Sequence, residues 1–239
     1  MNDKRQSSSA MIRGLPWWKL NFQIIGTEKQ PVLIIDNYVQ NPDKIIDIAD
    51  AEDFNINPPY YPSVRAPVPQ DYIALILSGL SDILTHIFGY KGGAKLQECF
   101  FSKVTTPPED LNFVQRVPHV DGGLDGKVAL LHYLSRQELG GTAFYRQKRT
   151  GFETVPNARF EAYKKAVEED HFKIGPPDAK YYDGSDSRFE KIFEVEAKVN
   201  RAILYFGKIL HAINISKPHD QFDRLTVNTF FNPASFKTN

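Results

Sequence analysis

The sequence predicts an α+β chain whose core is a small antiparallel sandwich or barrel. Three observations carry that reading. Apolar residues make up 41% and charged residues 24% of the chain, enough for a packed core and too few charges for wholesale disorder. Two helix-period stretches lie within the first ninety or so residues, and from Ala94 onward the apolar period changes to two. The 17 Phe and 11 Tyr favour β-structure. At 239 residues the chain lies between one and two average domains, and barrels or sandwiches of about 200–250 residues commonly run as one. The expected organisation is a disordered lead over residues 1–14 and a single domain over residues 15–239.

The elements follow in order. Residues 15–30 carry Trp17, Trp18 and Phe22 and read as an irregular or edge segment. Pro31–Asp36 is an apolar run with the length of a buried strand. Asn41 suits a helix cap and Pro42 a first helical position, and Ile45, Ile46 and Ala49 recur at helical spacing. Residues 54–69 hold Pro58, Pro59, Pro62, Pro67 and Pro69, a density that predicts an extended loop. A second helix is predicted from about Gln70 to Phe88, with Ile73, Leu77, Leu80, Leu84 and Phe88 as its apolar stripe, ended by Gly89–Gly93. Further strands are predicted from Ala94 to about Thr106, and at Phe113–Val120, Lys127–Leu134, Thr142–Arg146, Lys191–Lys198, Arg201–Phe206, Ile209–Ile213 and Leu225–Phe231. One helix interrupts them near Ala158–Glu169. Two helices followed by short strands with polar turns give the predicted class.

Charge and cysteine content narrow the function. The chain has 29 basic and 29 acidic residues, so it lacks the basic excess of a phosphate-backbone binder, and no nucleic-acid partner is expected. Its one cysteine, Cys99, excludes a disulfide framework and a thiolate zinc site within one chain, and is read as a buried small hydrophobe. No apolar run reaches the roughly 18 residues of a membrane span. Met1–Ala10 is polar and serine-rich, without the pattern of a secretory signal, and a cytoplasmic location is expected.

One local pattern points to chemistry: Pro118-His-Val-Asp-Gly122. On a strand, side chains at i and i+2 share a face, so His119 and Asp121 can present an imidazole and a carboxylate to one point. Such a tripeptide is weak evidence alone, since either histidine of a pair is as readily a satisfied core or surface residue. A third ligand must come from elsewhere, and His211, in the strand-like run Ile209-Leu-His-Ala-Ile213, is the best candidate. Two histidines and one carboxylate make the facial set of non-haem Fe(II) oxygenases, which leaves three metal positions open. Arg224-Leu-Thr226 opens the next strand after the polar, turn-like stretch Ser216–Asp223. A hairpin there returns Arg224 alongside His211. An arginine directed into a barrel needs an anion, because a buried unpaired charge is costly. The far carboxylate of a dicarboxylate cosubstrate suits a guanidinium fork.

The order His119-x-Asp121, His211, Arg224-x-Thr226 resembles the 2-oxoglutarate/Fe(II) dioxygenases. Ala129-Leu-Leu-His-Tyr-Leu134 followed by Gly140-Gly-Thr-Ala-Phe144 resembles their prolyl-4-hydroxylase-like branch. The resemblance spans about residues 96–232, and the two N-terminal helices fit that branch as support for the barrel. The whole chain also resembles an uncharacterised bacterial family described only as oxygenase-like. The resemblance implies a double-stranded β-helix, or jelly-roll, fold. It implies iron ligation by His119, Asp121 and His211, and 2-oxoglutarate held by Arg224 with a hydroxyl bond from Thr226 or Tyr133. It implies O₂ as the other cosubstrate and a hydroxylase acting on a small molecule, an amino acid or a peptidyl residue. Two departures stand out. The family's basic residue usually follows the distal histidine more closely than Arg224 does, which keeps Lys208 and Arg146 as substitutes. The segment from Phe144 to Lys191 is longer than a plain barrel needs and reads as a lid or a cover. The rival readings are a non-catalytic binding module on the same barrel and a cupin-type metal enzyme without 2-oxoglutarate.

The other polar residues sort by position. His132 neighbours Tyr133 on one strand, so only one faces the cavity, and Tyr133 is the choice. Arg65, in the proline-rich loop, is either a structural ion pair or a substrate-facing arginine. Tyr145 and Arg146, just past the Gly-Gly turn, are candidate rim residues for substrate. His171 and His219 read as surface residues. Gly122–Gly126 lacks the continuation of a phosphate loop, and no nucleophile-elbow motif is present.

Overall fold

Backbone pairing in the computed structural model turns the period-two stretches into two antiparallel sheets; residues 14–122, 125–137, 139–215 and 224–235 are described. The elements are β1 Lys19–Ile25, β2 Gln30–Asp36, α1 Pro42–Ala51, β3 Ser63–Pro67, α2 Gln70–His86, β4 Lys91–Val104 and β5 Val128–Tyr133. There follow β6 Gly141–Gln147, α3 Phe160–Ile174, β7 Phe189–Glu196, β8 Arg201–Phe206, β9 His211–Asn214 and β10 Arg224–Ser235. One sheet has seven strands in the order β1-β2-β8-β5-β10-β4-β3, the other three in the order β7-β6-β9. The predicted lead falls almost wholly on residues 1–13, and the predicted turn at residues 216–223 with His219 falls beyond the described residues as well.

Alternation along the central strands explains the layering. In β8, Ala202 and Leu204 face the helices while Ile203 and Tyr205 face the smaller sheet, so the whole run is apolar. The same split divides Val128 and Leu130 from Ala129 and Tyr133 in β5. On the helix side, Ile46 and Ala49 of α1 and Tyr72, Ile76, Leu80 and Ile83 of α2 close the larger core. Asn41 caps α1 by accepting from Lys44 N at 3.1 Å, and Pro42 occupies its first turn.

Three local expectations are corrected. Leu80, Leu84 and Phe88 of the expected stripe are buried, but Tyr72, Ile76 and Ile83 join them while Leu77 is 39% exposed. The buried face also carries a polar contact, 3.0 Å between Tyr72 OH and His132 Nδ1. Phe113–Arg116 forms a 3₁₀ turn, not a strand, because Asn112 and Gln115 make a reciprocal capping box. Beyond it only His119 makes a ladder contact, an isolated bridge to His211. Within the proline-rich segment, Ser63–Pro67 pairs with β4 as the edge strand of the larger sheet, a place where Pro67 costs no ladder bond. The first segment is an edge strand as expected: β1 pairs only with β2, and Trp18 Nε1 anchors it by donating to Tyr38 O at 2.7 Å. No helix among the described residues is long and apolar enough to cross a membrane.

His132 points away from Tyr133, into the helix-side core, and is 0% exposed. Its Nδ1 meets Tyr72 OH, and its Nε2 lies 3.3 Å from Asn200 Oδ1. Burial lowers its pKa to about 3, against about 6.5 in an unfolded chain. Between those values the unfolded chain binds the extra proton, so stability is complete above about pH 6.5 and falls as pH drops toward 3. Urea midpoints measured from pH 7 to pH 4 should therefore fall, and His132→Phe should flatten that slope while lowering stability at pH 7. An equally steep slope in the variant would place the acid sensitivity elsewhere.

Candidate metal centre

Three backbone tethers build the centre. His119 N donates to His211 O at 2.8 Å and His211 N to His119 O at 2.9 Å, so the start of β9 and the chain before Asp121 run as a two-residue ladder. Two residues on, Asp121 N donates to Gly207 O at 2.8 Å. Gly207 permits that approach: a Cβ there would stand 3.1 Å from Asp121 Cβ. The imidazole centroids of His119 and His211 are 4.5 Å apart. One ligand atom from each of His119, Asp121 and His211 lies within 4.8 Å of the others.

Hydrogen bonding fixes which atoms are available. His211 Nδ1 lies 2.8 Å from Ile209 O. A carbonyl only accepts, so Nδ1 carries the proton and Nε2 keeps its lone pair. That Nε2 stands 3.6 Å from Asp121 Oδ1. Burial and the neighbouring His211 lower the His119 pKa to about 4, which keeps this imidazole neutral. Burial opposes the His211 cation, yet the adjacent Asp121 carboxylate outweighs it and the His211 pKa is raised. Burial likewise opposes the Asp121 anion, and His211, His119 and Tyr61 outweigh it, so its pKa is lowered. Asp121 Oδ2 is buried with no hydrogen-bond partner. An orphaned buried acceptor costs about 1–3 kcal/mol, and more when charged. A neutral His119, a His211 whose Nε2 turns toward the carboxylate, and Asp121 with one of its oxygens unsatisfied form a donor set that fits a divalent metal.

The centre faces a small cavity whose lining includes Arg224, Thr226, Asn228 and Leu131. Arg224 is 2% exposed. Its Nη2 donates to Gly141 O at 3.1 Å, its Nε has no partner, and its Cζ lies 5.2 Å from the centroid of the Tyr133 ring. Among the described residues no carboxylate lies within ion-pair distance of it, and burial lowers its pKa. Thr226 and Tyr133 are opposite each other across β10 and β5. Thr226 Oγ1 donates to Asn228 Oδ1 at 2.7 Å, and Tyr133 OH is 2.7 Å from Thr142 Oγ1.

The sequence-derived substrate residues fare differently. Arg65 stands beside the centre: its guanidinium carbon is 3.7 Å from the Phe100 ring centroid and 4.9 Å from that of Tyr61, and its Nη1 is 3.8 Å from Glu98. Tyr145 is no rim residue. It is buried on the outer face of the smaller sheet with Tyr182 and Phe189, because it alternates with Phe144, which takes the inner face. Arg146 is also removed from the cavity, held by Glu153 and Glu190 in a charged cluster with Thr27. That pairing leaves it no free fork, and Lys208 Nζ lies 5.0 Å over the Phe206 ring, outside the cavity lining. Neither substitute for Arg224 is placed to serve.

Residues 16–231 match a family described as a family of unknown function, DUF6445. The chain belongs to the DUF6445 family. No curated protein matches this DUF6445 member in sequence. Among solved structures, it is similar to HygX from Streptomyces hygroscopicus with nickel and 2-oxoglutarate bound. The two share 14% identity over 87% of this chain and 85% of HygX, with a TM-score of 0.52. It is also similar to SnoN from nogalamycin biosynthesis, a non-heme alpha-ketoglutarate-dependent epimerase, at 10% identity over 87% of this chain and 79% of SnoN, TM-score 0.51. A viral collagen prolyl hydroxylase from Paramecium Bursaria Chlorella virus-1 follows at 12% identity, 84% and 94% coverage and TM-score 0.48. The DUF6445 member thus shares its fold with HygX and SnoN.

Sequence reasoning passed over Tyr61. Its hydroxyl donates to Asp121 Oδ1 at 2.7 Å, and its ring meets the His119 ring edge-on at 5.9 Å and 88°. No periodicity marks it; the only signal is an aromatic pair, Tyr60-Tyr61, set between prolines.

Proposed function

We propose that this protein is an Fe(II)- and 2-oxoglutarate-dependent oxygenase in which His119, Asp121 and His211 hold the metal and Arg224 holds the far carboxylate of the cosubstrate. The two sheets are read as the faces of a double-stranded β-helix, and residues 15–239 as its single domain. The observation that carries the reading is Arg224: a buried guanidinium with an orphaned Nε, in the same cavity as the His-Asp-His cluster. A cupin-type enzyme without 2-oxoglutarate, or a passive barrel, has no use for a desolvated cation there.

The residues divide the work. Fe(II), when bound, supplies activation of O₂ coupled to decarboxylation of 2-oxoglutarate to succinate. His119 and His211 offer lone pairs because burial keeps the first neutral and Ile209 O fixes the proton of the second on Nδ1. Arg224 offers a charged fork to the cosubstrate, and Thr226, opposite Tyr133, places a hydroxyl beside it. Leu131, Tyr205 and Ile213 wall the cavity with apolar surface, which limits competing water. The reaction on the substrate is proposed to be hydroxylation of a C–H bond in a small molecule or an amino-acid residue. HygX has been seen with hygromycin B bound, which supports a small molecule.

Anaerobic addition of Fe(II) and 2-oxoglutarate should give the metal-to-ligand charge-transfer band of a chelated keto acid. Admission of O₂ should then release succinate even without the substrate. Fe(II) binding with no such band would reject the cosubstrate and leave the cupin-type reading.

A further inference from the structure

We propose that Tyr61 is a positioning residue for the metal-binding carboxylate: its hydroxyl fixes the rotation of Asp121 so that Oδ1 faces the two imidazoles. The inference rests on the metal reading above and adds a residue from outside the ligand set.

The geometry isolates the role. Asp121 Oδ1 is the oxygen that looks toward His211 Nε2 at 3.6 Å, and it is the same oxygen that accepts from Tyr61 OH at 2.7 Å. A carboxylate oxygen has two lone-pair directions, so one bond from Tyr61 leaves the other for a metal. Oδ2 has no hydrogen-bond partner. The terminal torsion of an aspartate is soft and broad. Apart from the contact with His211, Tyr61 is the side chain that restrains it among the described residues. The backbone of Asp121 is already held by Gly207 and Lys127, with Lys127 Nζ donating to Asp121 O at 3.3 Å. What remains to be fixed is the carboxylate plane.

Tyr61 is itself held. Its ring lies edge-on against His119, the Arg65 guanidinium covers it, and Pro62 O accepts from Thr105 N and Thr106 N at 3.2 and 3.4 Å. The loop that carries it is therefore tied to the end of β4. Beside a carboxylate oxygen, which only accepts, the phenol is the donor of the pair. Outer partners of metal ligands act through such bonds, and their loss typically costs about 10–100-fold in metal affinity.

The test uses the full chain and Co(II), titrated by its visible absorption, in wild type, Tyr61→Phe and Tyr61→Leu. Tyr61→Phe keeps the ring on His119 and removes only the donor. It should leave the metal-free melting transition cooperative, weaken Co(II) binding by about 10–100-fold and alter the absorption bands of the bound ion. Tyr61→Leu should lose at least as much. Wild-type affinity and bands in Tyr61→Phe, with loss confined to Tyr61→Leu, would show that ring packing matters and the hydroxyl does not, which overturns the inference. A Tyr61→Phe chain that no longer melts cooperatively would assign the hydroxyl to folding and overturn it too. A wild-type chain that binds no Co(II) would overturn the metal reading itself, an outcome distinct from the other two.

Discussion

Asp121→Ala is expected to leave a folded chain that binds Fe(II) more than about 100-fold more weakly than wild type, beyond the usual effect of losing an outer partner. The substitution removes the single anionic ligand of the set. The imidazoles left behind are neutral, and they cannot balance the charge of a divalent ion. Folding should suffer far less. The carboxylate is buried with one oxygen unsatisfied, so its removal relieves a desolvation cost while it strands the hydroxyl of Tyr61. Those two effects oppose each other. Anaerobic Fe(II) titration beside a thermal melt separates them. Unchanged iron affinity in a well-folded Asp121→Ala variant would count decisively against the centre.

Arg224→Leu should separate the metal from the cosubstrate. No metal ligand changes, so Fe(II) affinity should stay near that of wild type. Binding of 2-oxoglutarate should weaken by about 2–5 kcal/mol, the scale for truncating one side of a desolvated charge pair. Arg224→Lys should be milder without being neutral, since an ammonium keeps the charge and loses the bidentate fork. The metal-free Arg224→Leu chain should be as stable as wild type or more so. In wild type the guanidinium is buried with an orphaned Nε and one bond to Gly141 O, and a well-packed apolar side chain often replaces such a charge at no cost. Calorimetry on the metal-loaded proteins reads the first effect and a melt reads the second. Equal 2-oxoglutarate affinity in wild type and Arg224→Leu would remove Arg224 from the proposal.

Much of the architecture was legible because local rules and burial agreed. The Asn41-Pro42 helix start, the strands β5 and β8 and the switch of period at Ala94 each satisfy a local preference and a tertiary demand at once. Where the two diverged, a contact outside the pattern won. Leu77 fits the helical stripe by spacing, yet α2 packs Tyr72, Ile76 and Ile83 into the core and Leu77 faces outward. Phe113–Val120 has strand composition, yet a capping box between Asn112 and Gln115 offers the backbone a local alternative.

The candidate centre divides the same way. His119 and Asp121 could be paired from sequence because strand alternation places i and i+2 on one face, a constraint that acts within a few residues. His211 and Arg224 could be nominated because an imidazole or a guanidinium in an apolar run needs a partner. The sequence by itself therefore determined the chemical inventory and the fold class. Only the tertiary structure decided that the His119–His211 ladder brings the imidazoles together and that Arg224 turns into their cavity. It alone took Tyr145 and Arg146 out of the site, through the alternation of β6 and a charged cluster, and put Tyr61 into it. The physical reason is range: periodicity and capping act over a few residues, while 60 residues separate Tyr61 from Asp121 along the chain. Contacts of that span are set by how the sheets register and close, and no local pattern records them.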